Sequence, residues 1–292
     1  MSTPILTVDD LIVTISSQPV LRGVSLKVMP GEVHGLVGES GAGKSTIGKA
    51  VLGLLPRTAA IPHGFVMFDG VDLPGMAEQR RRQLLAKEIA LIPQDPMTAL
   101  NPVKRIGVQM TWPLTSHLGM SRKDARERAL SLLNEVAIRD AESVLERYPH
   151  ELSGGMRQRV LIAMAFSTTP RLIIADEPTT ALDVTVQRQI LSLIRDLQTR
   201  HDASVLFVTH DLGVVAKVCD RVTVLHAGRV LEQGDCRQVI EAPQHPYTQA
   251  LLGATPRFDR PGDTLAPVPA ELADRLWSEA AAWDADRREA AR

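Results

Sequence analysis

The sequence has only two cysteines, Cys219 and Cys236, too few and too far apart for a Cys-rich metal site. In a reducing cytosol they read as plain structural thiols rather than a disulfide. Long apolar runs are missing as well. None approaches the roughly 20 residues that a membrane span needs. The start, MSTPILTVDD, lacks a basic region followed by an apolar core, so no secretion signal is expected and the protein should stay in the cytosol. Charge of one sign is also lacking: 33 Lys and Arg face 34 Asp and Glu, a formal net charge of −1, which leaves no overall footprint for nucleic acid. What is present is ordinary soluble composition, 44% hydrophobic and 23% charged, over 292 residues. That length suits one large or two small domains with a proper core.

Residues 5–37 read as short strands, Ile5–Ile15, Val20–Val28 and Glu32–Val37, with Pro30-Gly31 as the clearest break. A helix follows from Lys44 to Leu55, ended by Pro56, and then a strand Phe65–Phe68 turning at Asp69-Gly70. From about Asp95 to Tyr148 the character is helical, with Ser121 and Asp124 forming a capping pattern ahead of Ala125, Ala129, Leu132, Leu133 and Val136. Strands and helices then alternate. Arg171–Ala175 is followed by a helix carrying Val186, Ile190, Leu193 and Leu197 on one face, then strands Val205–Thr209 and Val222–Leu225. This alternation predicts a largely parallel sheet with helices on both sides. The tail from Phe258 begins loosely with Arg260-Pro261-Gly262-Asp263, Pro267 and Pro269. Beyond Glu271 it is Ala-rich and charged, with Leu272, Leu276 and Trp283 as candidate anchors, and it reads as solvated chain in preference to a docked helix.

The most informative stretch is GESGAGKST, Gly38 to Thr46, directly after the apolar run Val33–Val37. Binding a triphosphate takes several backbone N–H donors converging on one point. Glycines let the chain curl close enough to supply them, and the positive end of the next helix adds to the field. Lys44 can then reach the terminal phosphates and the Ser45 hydroxyl can ligand Mg²⁺. A Gly-rich strand-to-helix turn without a ligand has the same local pattern, and two further features set this one apart. Leu172-Ile173-Ile174-Ala175 ends in Asp176 and Glu177, which a buried parallel strand delivers to the carboxyl edge of the sheet. There Asp176 can hold Mg²⁺ and Glu177 can take a proton from the attacking water. In Leu152-Ser153-Gly154-Gly155-Met156-Arg157-Gln158-Arg159, Ser153 is a good helix N-cap, and the glycine pair leaves amide donors exposed on a helix reaching to about Phe166. Two chains facing head to tail would sandwich each ATP between one chain's loop and the other's glycine turn.

With these motifs in this order, the chain resembles the nucleotide-binding subunit of an ABC transporter. GESGAGKS matches the family's Walker A, LIIAD with Glu177 its Walker B, and LSGGMRQR its signature. Gln94 in IPQDP resembles the loop glutamine that senses Mg²⁺ and touches the membrane subunit. Ala181-Leu182-Asp183 resembles the D-loop, and His210 in VTHD the switch histidine that contacts the γ-phosphate and orders the water. The resemblance implies an α/β, P-loop NTPase fold: an antiparallel β subdomain, a mostly parallel core sheet flanked by helices, and an inserted helical subdomain at about 95–155. The ATPase domain would span 1–240 and a C-terminal extension 241–292. It also implies nucleotide contacts from Gly38, Glu39, Ser40, Gly41, Ala42, Gly43, Lys44, Ser45 and Thr46, and from Gln94, Ser153, Gly154, Gly155, Asp183 and His210. Mg²⁺ would sit on Ser45, Gln94 and Asp176, and catalysis would rest on Glu177, His210, Lys44 and Gln94. The other histidines singled out, His34, His63, His150 and His201, read as structural.

Two segments narrow the resemblance to the oligopeptide/dipeptide/nickel branch: Gln94-Asp95-Pro96-Met97-Thr98-Ala99-Leu100-Asn101-Pro102, and Pro243 to Leu252 with its HPYT element. The second also reads as a Pro-started helix packing Tyr247, Leu251 and Leu252. Ile15 stands where many relatives stack an aromatic on adenine, so contact there would be apolar. Nothing after Cys236 is a cysteine, so no iron–sulfur cluster is expected. The implied function is a peripheral ATPase on the cytoplasmic face of the membrane that drives oligopeptide or dipeptide uptake. Its expected partners are two permease subunits, a second ATPase subunit and, indirectly, a solute-binding protein. A nickel or metal-chelate importer, an ABC ATPase acting on ribosome or DNA, and a phosphonate-degradation accessory subunit are the alternatives. Residues around Met97–Val103 are expected to meet a permease loop, with Leu100 in the contact or, alternatively, in the domain's own core.

Overall fold

A computed structural model describes residues 3–180, 182–254 and 267–290. Two units emerge, one from Met1–Gly75 with Leu206–Arg292 and one from Met76–Val205.

The first unit opens with β1 (Leu6–Ile15) and β2 (Gln18–Val28), joined by Ser16-Ser17, both at positive φ. A two-residue turn with two positive φ angles matches the twist of an antiparallel hairpin and sets its register, Leu6 opposite Val28 and Ile15 opposite Gln18. β3 (Val33–Val37) is buried at all five positions, as expected of a strand covered on both faces. α1 covers Lys44–Leu52 and stops three residues short of the expected Leu55. Gly53 adopts the left-handed conformation and returns its N–H to the last carbonyls, so the glycine ends the helix before Pro56 is reached. β4 (Ala59–Phe68) and β5 (Val71–Asp72) complete an antiparallel sheet of order β2-β1-β4-β5.

The second unit contains α2 (Glu78–Glu88), β6 (Ile89–Ile92), α3 (Pro96–Ala99), α4 (Ile106–His117), α5 (Arg122–Glu135), α6 (Ala141–Glu146), α7 (Gly154–Ala165), β7 (Leu172–Asp176) and α8 (Val184–His201). β6 and β7 pair in parallel, Ile89 opposite Leu172. Ser121 caps α5 as its spacing predicts, accepting from the Asp124 amide at 3.1 Å, and Ala125, Ala129, Leu132 and Leu133 are buried below it. Ser153 caps α7 and Asp183 caps α8, whose Ile190, Leu193 and Leu197 face the core. α2 carries no buried residue, which is why no apolar period announces it.

The chain returns to the first unit through β8 (Ser204–Thr209), α9 (Leu212–Val218), β9 (Arg221–His226), β10 (Arg229–Asp235), α10 (Cys236–Glu241), α11 (Pro246–Gly253) and α12 (Ala270–Ala290). Here the strand order is β10-β9-β3-β8, with β3 parallel to β9 and the β9–β10 hairpin antiparallel. The protein is thus α/β, with an antiparallel sheet and a mixed, mostly parallel one. Tyr247, Leu251 and Leu252 of α11 join a core with Val37, Val222, Val224 and Leu276.

α12 corrects the expectation of a solvated tail. Its Leu276 and Ala280 are buried, and Asp284 makes a two-pronged ion pair with Arg22 of β2, both contacts 2.8 Å. The Ala-rich sequence hides this because the partner lies 262 residues away. The Phe258–Asp263 part of the tail lies outside the described residues.

Candidate functional site

On the first unit, the loop Gly38–Gly43 connects β3 to α1. A Cβ on Gly38 would stand 2.0 Å from the Leu225 carbonyl, and one on Gly43, which has φ +101°, would stand 2.6 Å from a Leu21 methyl. Only glycine fits either position. Lys44 is buried, and its Nζ donates to the Gly38 carbonyl at 2.7 Å and the Glu39 carbonyl at 2.8 Å. The Gly228 N–H holds the Ala42 carbonyl at 3.0 Å. Glu39, Ser40 and Gly41 are exposed, while Ser45 and Thr46 lie half-buried in the first turn of α1. That helix has no side-chain cap and no acidic residue in its first turn, so its positive end remains open to an anion. His210 is exposed between the end of β8 and Asp211, which caps α9.

On the second unit, Asp176 ends β7 half-buried, and Glu177 follows at φ +46°. A glutamate in the left-handed region is less common than an asparagine or aspartate there. The Glu177 Oε2 accepts from the Gln94 side-chain amide at 3.1 Å and from the Thr180 hydroxyl at 2.9 Å. Two predicted residues 83 positions apart are therefore in direct contact. Ser153 Oγ accepts from the Met156 amide at 3.3 Å, and the space where a Gly154 Cβ would stand is open. Ser153, Gly154 and Asp183 are exposed. Ala181 lies outside the described residues.

Leu100 needs a correction. It is 1% exposed and belongs to the buried core, whereas its neighbours Met97 and Val103 are 63% and 79% exposed. Exposed apolar surface continues on α4 with Val108 and Trp112, beside a groove of about 750 Å³ that Thr115 and Met120 also line. The histidines read as structural are paired locally: His34 is buried between Glu32 and Thr223, and His201 meets Glu135. Burial raises the Cys236 thiol to about 11, in keeping with an inert structural role. Sequence reasoning missed the contact between Glu39 in the loop and Tyr247 in α11, 208 residues apart, which leaves no local pattern.

A glycine-rich turn from a buried strand into an uncapped helix, with a lysine folded into it, defines a P-loop nucleotide-binding α/β protein. The chain belongs to the ABC transporter family, whose model matches residues 21–180. Residues 231–278 match the oligopeptide/dipeptide transporter C-terminal region. A relative, the dipeptide transport ATP-binding protein DppD of Bacillus subtilis (strain 168), is 48% identical over 249 residues, 85% of this chain and 74% of its own length. Among solved structures, cbiO1 from Clostridium perfringens, part of the ABC transporter complex cbiONQ, aligns with TM-score 0.73 and 27% identity. The alignment covers 82% of this chain and 91% of that one. A dimeric ATP-binding cassette in a post-hydrolysis state bound to ADP and Pi aligns with TM-score 0.69 and 26% identity, over 80% of this chain and 99% of that one. Among the described residues no helix is long and apolar enough to cross a membrane.

Proposed function

We propose that this chain is the ATP-binding and ATP-hydrolysing subunit that energises an importer of oligopeptides or dipeptides. The observation that carries the reading is the loop itself. Its two obligatory glycines, buried lysine and uncapped helix end make an anion cradle, and the chain continues into a peptide-transporter type C-terminal region. In this reading residues 1–240 form the ATPase, with a helical subdomain at about 95–155, and 241–292 its extension.

Each residue then has a task. The amides of Gly38 to Thr46 and the Lys44 ammonium bind the phosphates. Glu177 accepts the proton of the attacking water, oriented by the Gln94 amide that it already holds. His210 contacts the γ-phosphate. Ser153, Gly154, Gly155 and Asp183 face the nucleotide of a second, head-to-tail ATPase subunit. Ser45, Asp176 and Gln94 would hold Mg²⁺. The donor set fits: it offers one hydroxyl, one carboxylate and one amide oxygen, and Asp176 is half-buried at the end of β7, so room is left for other oxygen ligands. Mg²⁺ typically takes one or two carboxylates and fills its shell with water and phosphate oxygens. When bound, it neutralises charge on the transferring phosphoryl group.

The chain would work on the cytoplasmic face of the membrane. Met97, Val103, Val108 and Trp112 would meet the two permeases, and a solute-binding protein would deliver the cargo to them. Proteoliposomes containing the chain, the two permeases and a second ATPase subunit test the reading through ATP-dependent uptake of a labelled dipeptide. Uptake lost on Glu177→Gln supports it. Transport of a nickel chelate with no peptide uptake would overturn the substrate assignment.

A further inference from the structure

Glu39, the second residue of the phosphate loop, is tied to the C-terminal region of the chain. Its Oε2 accepts a hydrogen bond from the Tyr247 hydroxyl at 3.1 Å and lies 3.6 Å from Nδ1 of His226. Tyr247 is fully buried at the start of α11, so its ring is fixed by packing. The His226 ring lies 4.6 Å from the Tyr247 ring and 5.8 Å from that of Trp277 in α12. Burial, working against the nearby Glu39 charge, lowers the His226 pKa. Burial first, and then Glu39, pushes the Tyr247 hydroxyl well above its usual range, so it stays protonated and donating. The ion pair between Asp284 and Arg22 supports the same corner, because Arg22 also donates to the Ala227 carbonyl at 2.6 Å, next to His226.

The backbone of Glu39 has the opposite electrostatic duty from its side chain. Its carbonyl accepts from the Lys44 Nζ at 2.8 Å and from the Ala42 amide at 3.2 Å, both inside the cradle. A carboxylate in a loop that gathers donors around a polyanion repels that anion if it swings towards it. Charge and carbonyl therefore have to be held apart, and a buried hydroxyl outside the cradle does so.

We propose that Tyr247 is a positioning residue for nucleotide binding: its hydroxyl anchors the Glu39 carboxylate beside α11, keeping that charge off the phosphates and the Glu39 carbonyl in place for the loop. The inference rests on the ATP-binding reading above. It gives the C-terminal region a direct line to the phosphate loop of the same chain.

The test uses the full chain and Tyr247→Phe, which keeps the ring and removes only the hydroxyl. Kd for a fluorescent ATP analogue and KM for ATP should both rise about three- to tenfold, the range for losing one ordinary hydrogen bond, with the change in KM rather than kcat. In a Glu39→Gln background, where the repelling charge is gone, Tyr247→Phe should add little, so the two substitutions should be non-additive. Unchanged KM with a lower melting temperature would make Tyr247 a packing residue only and overturn the proposal. Equal losses in both backgrounds would show that it does not act through Glu39. If the unsubstituted chain fails to bind the analogue, the nucleotide reading itself falls, and the inference falls with it.

Discussion

The side-chain amide of Gln94 donates to the Glu177 carboxylate at 3.1 Å, joining the loop after β6 to the end of β7. A candidate general base is useful only if it is held, and Thr180 holds the same oxygen from a second side at 2.9 Å. With Glu177 in the left-handed region, its position is set by backbone and side-chain contacts together. Asp95 alone separates Gln94 from α3, so a displacement there has a short route to the base.

Lys44→Ala should abolish nucleotide binding. The ammonium is buried against the Gly38 and Glu39 carbonyls, and no other Lys or Arg lies within the loop. Equilibrium binding of a fluorescent ATP analogue checks this. Affinity near that of the unsubstituted chain would remove the loop from the account.

Leu100→Ala and Trp112→Asp should behave oppositely. Leu100 is fully buried, so its truncation should cost about 2–5 kcal/mol and lower the melting temperature by several degrees. Trp112 is 58% exposed, so Trp112→Asp should leave the melting temperature alone and reduce uptake in reconstituted vesicles. A melt that shifts for Trp112→Asp, with Leu100→Ala silent, would invert the assignment of core and docking surface.

Removing Asp284 tests the docked α12. The Arg22–Asp284 pair is largely buried, at 8% and 14% side-chain exposure, and losing one partner of such a pair costs about 3 kcal/mol or more. Asp284→Ala should therefore lower the thermal midpoint clearly, whereas Asp286→Ala on the exposed side of the same helix should not. Equal midpoints for the two variants would mean that the Arg22–Asp284 pair does not hold α12 in place.

Ser153→Arg probes the second chain's role. Ser153 and Gly154 are exposed at the start of α7, so the added cation should be tolerated by the isolated subunit, which should still bind ATP. Turnover should stop, because the side chain would occupy the facing subunit's γ-phosphate position. Full turnover in a homodimer would exclude the head-to-tail arrangement.

Features that depend on local chemistry were legible in the sequence. The glycine-rich turn between β3 and α1, the Ser121 and Ser153 caps, the apolar β7 and the face of α8 all follow from neighbouring residues, and each stands at the expected place. α1 ends at Leu52 rather than Leu55 because Gly53, whose left-handed geometry closes the helix, comes before Pro56. Local sequence leaves Leu100 open between docking contact and core because it sits among Met97 and Val103, and tertiary packing distinguishes the buried one of the three. The docking of α12 and the Tyr247–Glu39 bond join residues more than 200 positions apart, where neither periodicity nor a motif carries information.

The most direct measurement of the central claim is phosphate release by the purified chain beside its Glu177→Gln variant, with ATP binding measured on both. The account predicts that both bind ATP and that hydrolysis falls at least about a hundredfold in the variant, the lower range for losing a general base. Its ATP-bound dimer should then accumulate on size-exclusion chromatography. Equal hydrolysis by the two proteins, or no ATP binding by either, would contradict it.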